Sequence, residues 1–341
     1  MVNYTKRVSG LDSIRFFSAL WVVFSHNGAL PLTAGFDQTN NLSIVVNGLY
    51  TGFWSGPAAV ILFFIVSGFC IHYPYANGKK FKSREFYIRR YIRIGAPMIL
   101  ALSIVRATGM ISDDNKDWLA GIPAWSLVAE IVYYTIYPFL SKIFNGRWTL
   151  CTVTFFFIAF LFSFTANKNN LNYPAWGYCS DWIIGLPCWL MGVVLCNLYI
   201  NTKKISSITS LHVWSIRVAG VVLGALTHHL KLQQILPESM TLNWFGLFAF
   251  YWIHCEIKFF QVNESNRFWE YCGTWSYSLY LTHPFSNYLF HEIFDPPNFG
   301  ILNTWILNIT STLVVALIFY YSIEKPSHRF ALYLSNLDTK S

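Results

Sequence analysis

Long apolar runs recur along almost the whole chain, and short polar stretches separate them. Each run has about 18–23 residues, the length that a helix needs to cross the hydrocarbon core of a bilayer. Hydrophobic residues make up 54% of the chain and charged residues only 12%, whereas a soluble domain carries about 25% charge. The pattern therefore predicts an all-α polytopic transmembrane helical bundle of about ten helices. The predicted spans are residues 11–30, 55–76, 94–111, 122–141, 148–166, 178–200, 211–230, 241–260, 271–293 and 301–323.

The first and third spans differ from the others. The first follows a short polar head and lacks a small-residue cleavage pattern, so we interpret it as a retained helix and not a signal peptide. The third contains Pro97 and Arg106, which are compatible with a broken or re-entrant segment. Because no connecting stretch approaches the size of a domain, the sequence predicts a single transmembrane domain over residues 1–341.

Lysine and arginine are distributed unevenly between the two sides of the predicted bundle. With a cytoplasmic N-terminus, most of the 24 basic residues fall in cytoplasmic segments, and the densest group lies within residues 79–93. This asymmetry follows the positive-inside rule and predicts that both termini are cytoplasmic. We therefore ascribe the net charge of +8 mainly to membrane orientation and predict no nucleic-acid partner. The seven scattered cysteines show no metal-binding spacing and are interpreted as small core hydrophobes, so no metal site is predicted.

The first span carries two ionisable side chains on one helical face. Arg15 and His26 are 11 residues apart, which is close to a whole number of turns and about 16 Å along the axis. Asp12 can pair with Arg15 near the cytoplasmic end, and His26 lies in the outer half. Ionisable groups at membrane depth are costly and mark function by default. The alternative is that Arg15 reaches the inner interface and His26 only packs.

Polar residues recur in the second, fourth and ninth spans. Glu130 lies near mid-depth, about one turn after Trp125 and Ser126, where a lone carboxylate needs a partner. Either Glu130 belongs to a functional site, or it pairs with a basic residue only to hold the bundle together. Ser67 and Gly68 either allow close helix packing or offer a hydroxyl to a ligand. The ninth span provides either contacts between helices or a wall for an acceptor. Its hydrogen-bonding residues include Ser276, Tyr277, Ser278, Tyr280, Thr282 and His283.

Arg90 and Arg93 stand at i and i+3 of one helical face within the basic group. Paired guanidinium groups can grip phosphate in a bidentate manner, although anionic lipid headgroups also explain such a cluster. The residues thus predict an arginine-rich inner mouth and, about 16 Å deeper, a histidine and a carboxylate. Coenzyme A has this shape, with phosphates at one end, an extended pantetheine arm and a thioester at its tip.

These residues belong to motifs that resemble those of the acyltransferase-3 family of integral-membrane O-acyltransferases. The motifs occur in the family's order from residue 11 to about residue 330. They are "LDSIRFFSALWVVFSH", "FFIVSGF", the Arg90-x-x-Arg93 pair, "WSLVAEIVYY", "SYSLYLTHPF" and "IEKPSHRF". Six short motifs in one order make the resemblance specific. Some members carry a fused esterase-like domain, but this chain stops soon after the tenth predicted span, so we expect a stand-alone bacterial member.

The resemblance implies a multi-pass protein of the bacterial cytoplasmic (inner) membrane that modifies polysaccharide. It implies transfer of an acyl group, usually acetyl, from cytoplasmic acyl-CoA to a hydroxyl of an extracytoplasmic or lipid-linked carbohydrate. The family's essential histidine falls on His26 and its helix-1 arginine on Arg15. Its donor-binding pair falls on Arg90 and Arg93. The expected partners are acyl-CoA as donor, a glycan acceptor and membrane lipids.

The expected mechanism starts from His26, because an imidazole can act as general base at neutral pH. Glu130 either orients and charges this imidazole or binds the acceptor. Ser67, Tyr277 or Ser278 are expected to donate to the oxyanion. The expected substrate-contacting residues are Ser67, Trp125, Ser126, Tyr277, Ser278, Tyr280 and His283.

Three alternatives stay open at this point. Intramembrane His, Glu and Arg also serve proton-coupled transporters and flippases, although no internal repeat is visible. A structural or receptor bundle would leave the arginines as lipid anchors. Within the acyltransferase hypothesis, direct transfer and an acyl-enzyme intermediate are both compatible with the sequence, and so are several glycan acceptors, acyl chains and oligomeric states.

Overall fold

The computed structural model describes residues 7–33, 35, 40–111, 117, 119–165, 176–177, 180–202, 208–294 and 300–337. These residues form an all-α bundle in which no described segment is a β-strand, so the predicted fold class is confirmed. The helices are α1 (Leu11–Asn27), α2 (Asn41–Gly52), α3 (Gly56–Ala76), α4 (Ser83–Ala107), α5 (Ala124–Ile143), α6 (Trp148–Ser163), α7 (Trp182–Asn201), α8 (Ser210–Leu232), α9 (Glu238–Val262), α10 (Arg267–Gly273), α11 (Ser276–Ile293), α12 (Ile301–Phe319) and α13 (Lys325–Leu337). A π-helix, Tyr320–Glu324, joins α12 to α13.

Several of these helices have the length and apolar character of membrane spans. Four described stretches meet both conditions: Asn41–Ala76, Trp182–Asn201, Ser210–Leu232 and Ile301–Asn336. Together they support a multi-pass membrane protein. The count of ten spans and the cytoplasmic position of both termini stay predictions.

Every predicted span contains a described helix, but three features differ from expectation. The break considered in the third span is absent, because α4 runs through Pro97 without interruption. The ninth span is divided at Thr274, between α10 and α11. In addition, α2 and α13 lie outside all predicted spans. Neither shows a long apolar run in the sequence, because α2 is short and α13 is amphipathic.

The centre of the bundle is the contact between α3 and α7. A Cβ atom on Gly68 would come within 1.9 Å of the carbonyl oxygen of Trp189. A Cβ atom on Gly192 would come equally close, 1.9 Å, to the carbonyl oxygen of Ile65. The two glycines therefore let the helix backbones touch, as the close-packing interpretation of Gly68 expects.

The beginning of α1 is fixed by a carboxylate from α10. Glu270 accepts hydrogen bonds from the backbone N–H groups of Gly10 at 3.1 Å and Ser13 at 3.3 Å, and from the Ser13 hydroxyl. An anion at a helix N-terminus satisfies free N–H groups and opposes the positive end of the helix dipole. This contact positions the turn of α1 that carries Asp12 and Arg15.

The basic half of α4 is held against the bundle by α13. Arg89 donates through Nε to the Ser335 hydroxyl at 2.8 Å and through Nη2 to Oδ1 of Asn336 at 3.0 Å. The Ser327 hydroxyl donates to the carbonyl oxygen of Ile92 at 2.9 Å. The amphipathic helix α13 thereby fixes the part of α4 that presents Arg90 and Arg93.

Candidate active site

A narrow cavity of about 90 Å³ lies between α1, α3, α4, α5 and α11. We call it the arginine cavity, because each of α1 and α4 contributes guanidinium groups to its wall. Its polar lining residues are Arg15, Ser67, Cys70, Arg90, Arg93, Ser126, Glu130, Tyr134, Tyr277 and Tyr280. The structure thus brings most of the predicted site residues to one wall, although they come from five helices that are distant in sequence.

The three arginines differ in how their charge is balanced. The predicted pairing of Arg15 with Asp12 is confirmed, at 3.5 Å between Nη1 and Oδ1, and Asp12 also accepts from Arg7 at 3.1 Å. Arg90 and Arg93 lie side by side in the cavity wall and make no ion pair with any residue that the structure describes. Two guanidinium groups without an ion-pair partner in a narrow cavity favour an anionic ligand.

Glu130 is held by hydroxyl groups and not by a basic partner. The Ser67 hydroxyl donates to its Oε1 at 2.5 Å, and the Tyr134 hydroxyl donates to the same oxygen. Trp189 of α7 in turn donates to the Ser67 oxygen at 3.2 Å. Among the described residues Glu130 forms no ion pair, so a purely structural salt bridge is not what holds it. Hydrogen bonds from hydroxyls stabilise a carboxylate and fix its direction.

Two predicted site residues that line the arginine cavity are hydrogen-bonded to each other. The hydroxyls of Ser126 and Tyr280 are 2.6 Å apart, and Phe63 packs edge-on against the Tyr280 ring at 5.5 Å between centroids. The Tyr280 ring also lies 6.1 Å from the ring of His283, and the rings of His26 and His283 lie 5.2 Å apart. His26 is exposed and does not line the cavity, so it lies outside the space that the arginines share.

His283 is fully buried, and its contacts fix its tautomer. Its Nδ1 lies 2.8 Å from the carbonyl oxygen of Tyr280, which can only accept, so Nδ1 carries the proton. The Nε2 atom of the neutral ring is then an acceptor, and it has no hydrogen-bond partner among the described residues. Its nearest ring neighbour is His26, so the pair combines an exposed imidazole with a buried one of defined orientation.

Besides His26 and His283, two further predicted site residues do not line the cavity. Trp125 packs edge-on against Phe64, with 6.2 Å between ring centroids. Ser278 is buried and donates through its backbone N–H at 3.1 Å and its hydroxyl at 2.5 Å to Glu324. The predicted donation from Ser278 to an oxyanion therefore competes with a bond that already occupies its hydroxyl.

Glu324 and Cys70 were not selected from the sequence as site residues. Glu324 lies in the π-helix, is 3% exposed, and accepts two hydrogen bonds from Ser278. It stands one residue beyond the tenth predicted span, so the rule that selected Glu130, an acid in an apolar span, did not select it, although it belongs to the motif "IEKPSHRF". Cys70 lines the cavity and is exposed, so its interpretation as a core hydrophobe is wrong. The other described cysteines are buried, and Cys179 lies outside the described residues.

Together, the all-α bundle and the polar cavity inside it define the class of multi-pass membrane proteins with an intramembrane site. The sequence model of one family, described as an acyltransferase domain, matches residues 8–325, nearly the whole chain. The protein therefore belongs to the acyltransferase-3 family and is, in general terms, a membrane acyltransferase. No curated protein and no solved structure matches the chain.

Proposed function

We propose that the protein transfers an acyl group, acetyl in the first instance, from cytoplasmic acyl-CoA to a hydroxyl of an extracytoplasmic or lipid-linked carbohydrate. The observation that carries the proposal is the arginine cavity. Arg90, Arg93 and Glu130 all line it, and five helices form its wall. Unpaired guanidinium groups suit the phosphates of the donor. The narrow remainder of the cavity suits its thin pantetheine arm, directed toward the Ser126–Tyr280 contact.

In the proposed reaction the acceptor hydroxyl loses its proton to His26 while its oxygen attacks the thioester carbonyl. The C–S bond then breaks, and the proton on the imidazole passes to the departing thiolate, so that free CoA and an ester are formed. Ser126 and Tyr280 line the arginine cavity, and the Tyr280 ring lies 6.1 Å from that of His283, so we infer that the Ser126–Tyr280 hydrogen bond opens when the thioester reaches the histidines. Their hydroxyls then become free to donate to the developing oxyanion.

Direct transfer is favoured over an acyl-enzyme intermediate by the surroundings of Cys70. Its thiol is the described cysteine on the cavity wall, but no described side chain hydrogen-bonds to its sulfur. A nucleophilic thiol is ordinarily activated by an adjacent base. We therefore expect Cys70→Ala to retain transfer activity, and loss of activity with intact CoA binding would indicate a covalent route.

The test uses inside-out membrane vesicles that contain the wild type, His26→Ala or His291→Ala at matched levels. Radiolabelled acetyl-CoA is added, and label is followed into lipid-linked and free glycans. His291 is the control because it is an exposed histidine on α11. Label that requires His26 but not His291 supports the proposal. Equal labelling by all three proteins would remove His26 from the mechanism, and wild-type protein that neither transfers label nor binds CoA would overturn the proposed function.

A further inference from the structure

A second cavity, of about 500 Å³, adjoins the α3–α5 face that carries the arginine cavity. It lies between α3, α5, α6 and α7 and the turn that follows α3. We call it the aromatic cleft. The side chains that define it are His72, Tyr75, Phe81, Tyr137, Lys142, Trp148 and Asn197. Its size and its aromatic wall with a few polar groups are those of a small-molecule site.

The aromatic cleft continues the arginine cavity along one helical face. On α3, Ser67 and Ile71 line the arginine cavity and Tyr75, four residues later, lines the cleft. On α5, Tyr134 lines the arginine cavity and Pro138, again four residues later, lines the cleft. Residues four apart share a helix face, so the two cavities follow one another toward the predicted cytoplasmic end.

The floor of the cleft is an ordered polar and aromatic layer. The rings of Tyr137 and Trp148 are stacked, with centroids 5.4 Å apart and planes 4° from parallel. His72 lies 2.8 Å from the Tyr137 hydroxyl through Nδ1 and 2.9 Å from Oδ1 of Asn197 through Nε2. The Asn197 carboxamide lines the cleft, and its Nδ2 makes no hydrogen bond with a described residue, so a donor is left for a ligand.

The mouth of the cleft is aromatic and positively charged. Phe81 is 41% exposed and packs edge-on against Tyr75 at 5.2 Å. Lys142 lines the cleft, and Arg147 lines an adjoining cavity of about 480 Å³ that shares Trp148 and Asn197 with it. Within the described part of the chain, neither Lys142 nor Arg147 forms an ion pair.

Glu85, the acidic residue close to the cleft, is already paired with basic side chains. Glu85 pairs with Lys79 at 2.6 Å and with Arg89 at 3.0 Å. Burial alone would raise the pKa of Glu85, but the hydrogen bond from Lys79 and the charge of Arg89 hold that pKa below its ordinary value. Glu85 is therefore ionised and compensated, and the free cations at the mouth are left to attract an anion.

We propose that the aromatic cleft binds the adenine nucleotide of the acyl-CoA donor. In this arrangement the purine lies against Phe81 and Tyr75, and the 3′-phosphate is directed to Lys142 and Arg147. The diphosphate is directed to Arg90, which lines the adjoining arginine cavity. A purine fits because every base offers a flat π-face to aromatic side chains. A lipid chain would leave the Asn197 Nδ2 donor without a partner.

This inference rests on the proposed function, and binding measurements separate the two. CoA, 3′-dephospho-CoA and 4′-phosphopantetheine are titrated calorimetrically into the purified full chain and its variants. Phe81→Ala is expected to weaken both nucleotide-bearing ligands about 5- to 100-fold and to leave phosphopantetheine unchanged. Arg147→Gln is expected to weaken CoA at least about fivefold and to leave 3′-dephospho-CoA unchanged.

Phe157→Ala and Arg267→Gln are the matched controls, because both side chains are exposed and lie outside the cleft. If both test variants bind CoA like the wild type, the aromatic cleft is not the nucleotide site, although the proposed function stands. An equal loss of all three ligands would indicate a general defect and would also overturn the cleft assignment. Wild type that binds none of the ligands would overturn the proposed function itself.

Discussion

His283 illustrates how a single buried side chain can direct an exposed one. Its proton is committed to the Tyr280 carbonyl, so its unpartnered Nε2 is available to a charged His26 when that ring takes up a proton. A hydrogen bond to a charged group contributes about 1.5–3 kcal/mol. We therefore assign His283 a positioning role that becomes effective as the imidazolium forms.

The variant that tests this role is His283→Asn, because the asparagine amide can keep the donation to Tyr280 but removes the Nε2 acceptor. We expect kcat to fall about 10- to 100-fold with little change in the KM for acyl-CoA. His291→Asn serves as the control. A rise in KM with unchanged kcat would instead place His283 in donor binding, and unchanged kinetics would make it a packing residue.

Arg90 and Arg93 are the free cations of the arginine cavity, and their loss has a distinct kinetic signature. Each of Arg90→Gln and Arg93→Gln is expected to raise the KM for acyl-CoA about 10- to 100-fold, because charged hydrogen bonds to phosphate are lost. Wild-type KM should rise with ionic strength, and this dependence should be weaker in either variant. Arg267→Gln, on the exposed side of α10, should behave like the wild type.

At the residue scale, helical spacing predicted proximity well only where both residues share one helix. The i, i+3 relation of Arg90 and Arg93 and the Asp12–Arg15 pair both appear in the structure. Contacts between helices were not predictable from a single sequence. The hydroxyls on Glu130 and the Ser278–Glu324 bond depend on how α3, α5, α11 and the π-helix pack, and periodicity does not encode that.

At the scale of the helices, the α3–α7 crossing is the contact with the least room for change. Because the atoms that a new Cβ would meet at Gly68 are backbone, neither helix can adjust cheaply. Gly68→Ala should therefore lower the stability of the protein in detergent by at least about 2 kcal/mol, seen as a lower Tm. Gly95→Ala in α4 is the control, since a Cβ there meets open space, and it should be neutral or stabilise by up to about 1 kcal/mol.

An unchanged Tm for Gly68→Ala would mean that the helices are further apart in the membrane than the structure places them.

Helices with long apolar runs were predictable because the bilayer imposes one length on them. Helices α2, α10 and α13 lie outside that rule. They are stabilised by packing against the bundle, as the hydrogen bonds of α13 with Arg89 and Ile92 illustrate. Their sequences therefore contain no long hydrophobic run from which they could be predicted.

At the scale of the whole molecule, hydrogen bonds join segments that are predicted to lie on the same side of the membrane. At the predicted inner end, Ser9 meets Ser265 at 2.6 Å between hydroxyl oxygens, and Arg89 meets Asn336. At the predicted outer end, the Trp305 indole donates to the carbonyl oxygen of Gly28 at 3.0 Å. The arrangement is consistent with chain segments that alternate between sides as the ten predicted spans require.

This alternation makes orientation a test of the entire proposed mechanism, because the proposed donor, acyl-CoA, is cytoplasmic and the cations would have to face it. Fluorescent-protein and alkaline-phosphatase reporters fused after Asn77, Asn145 and Gln234 would read it. The first two positions follow the second and fourth predicted spans, so they are predicted to be cytoplasmic and should give fluorescence without phosphatase activity. The third should give the reverse, since it follows the seventh predicted span. A phosphatase signal at Asn77 would put Arg90 and the aromatic cleft on the side without acyl-CoA, and the donor assignment could not survive it.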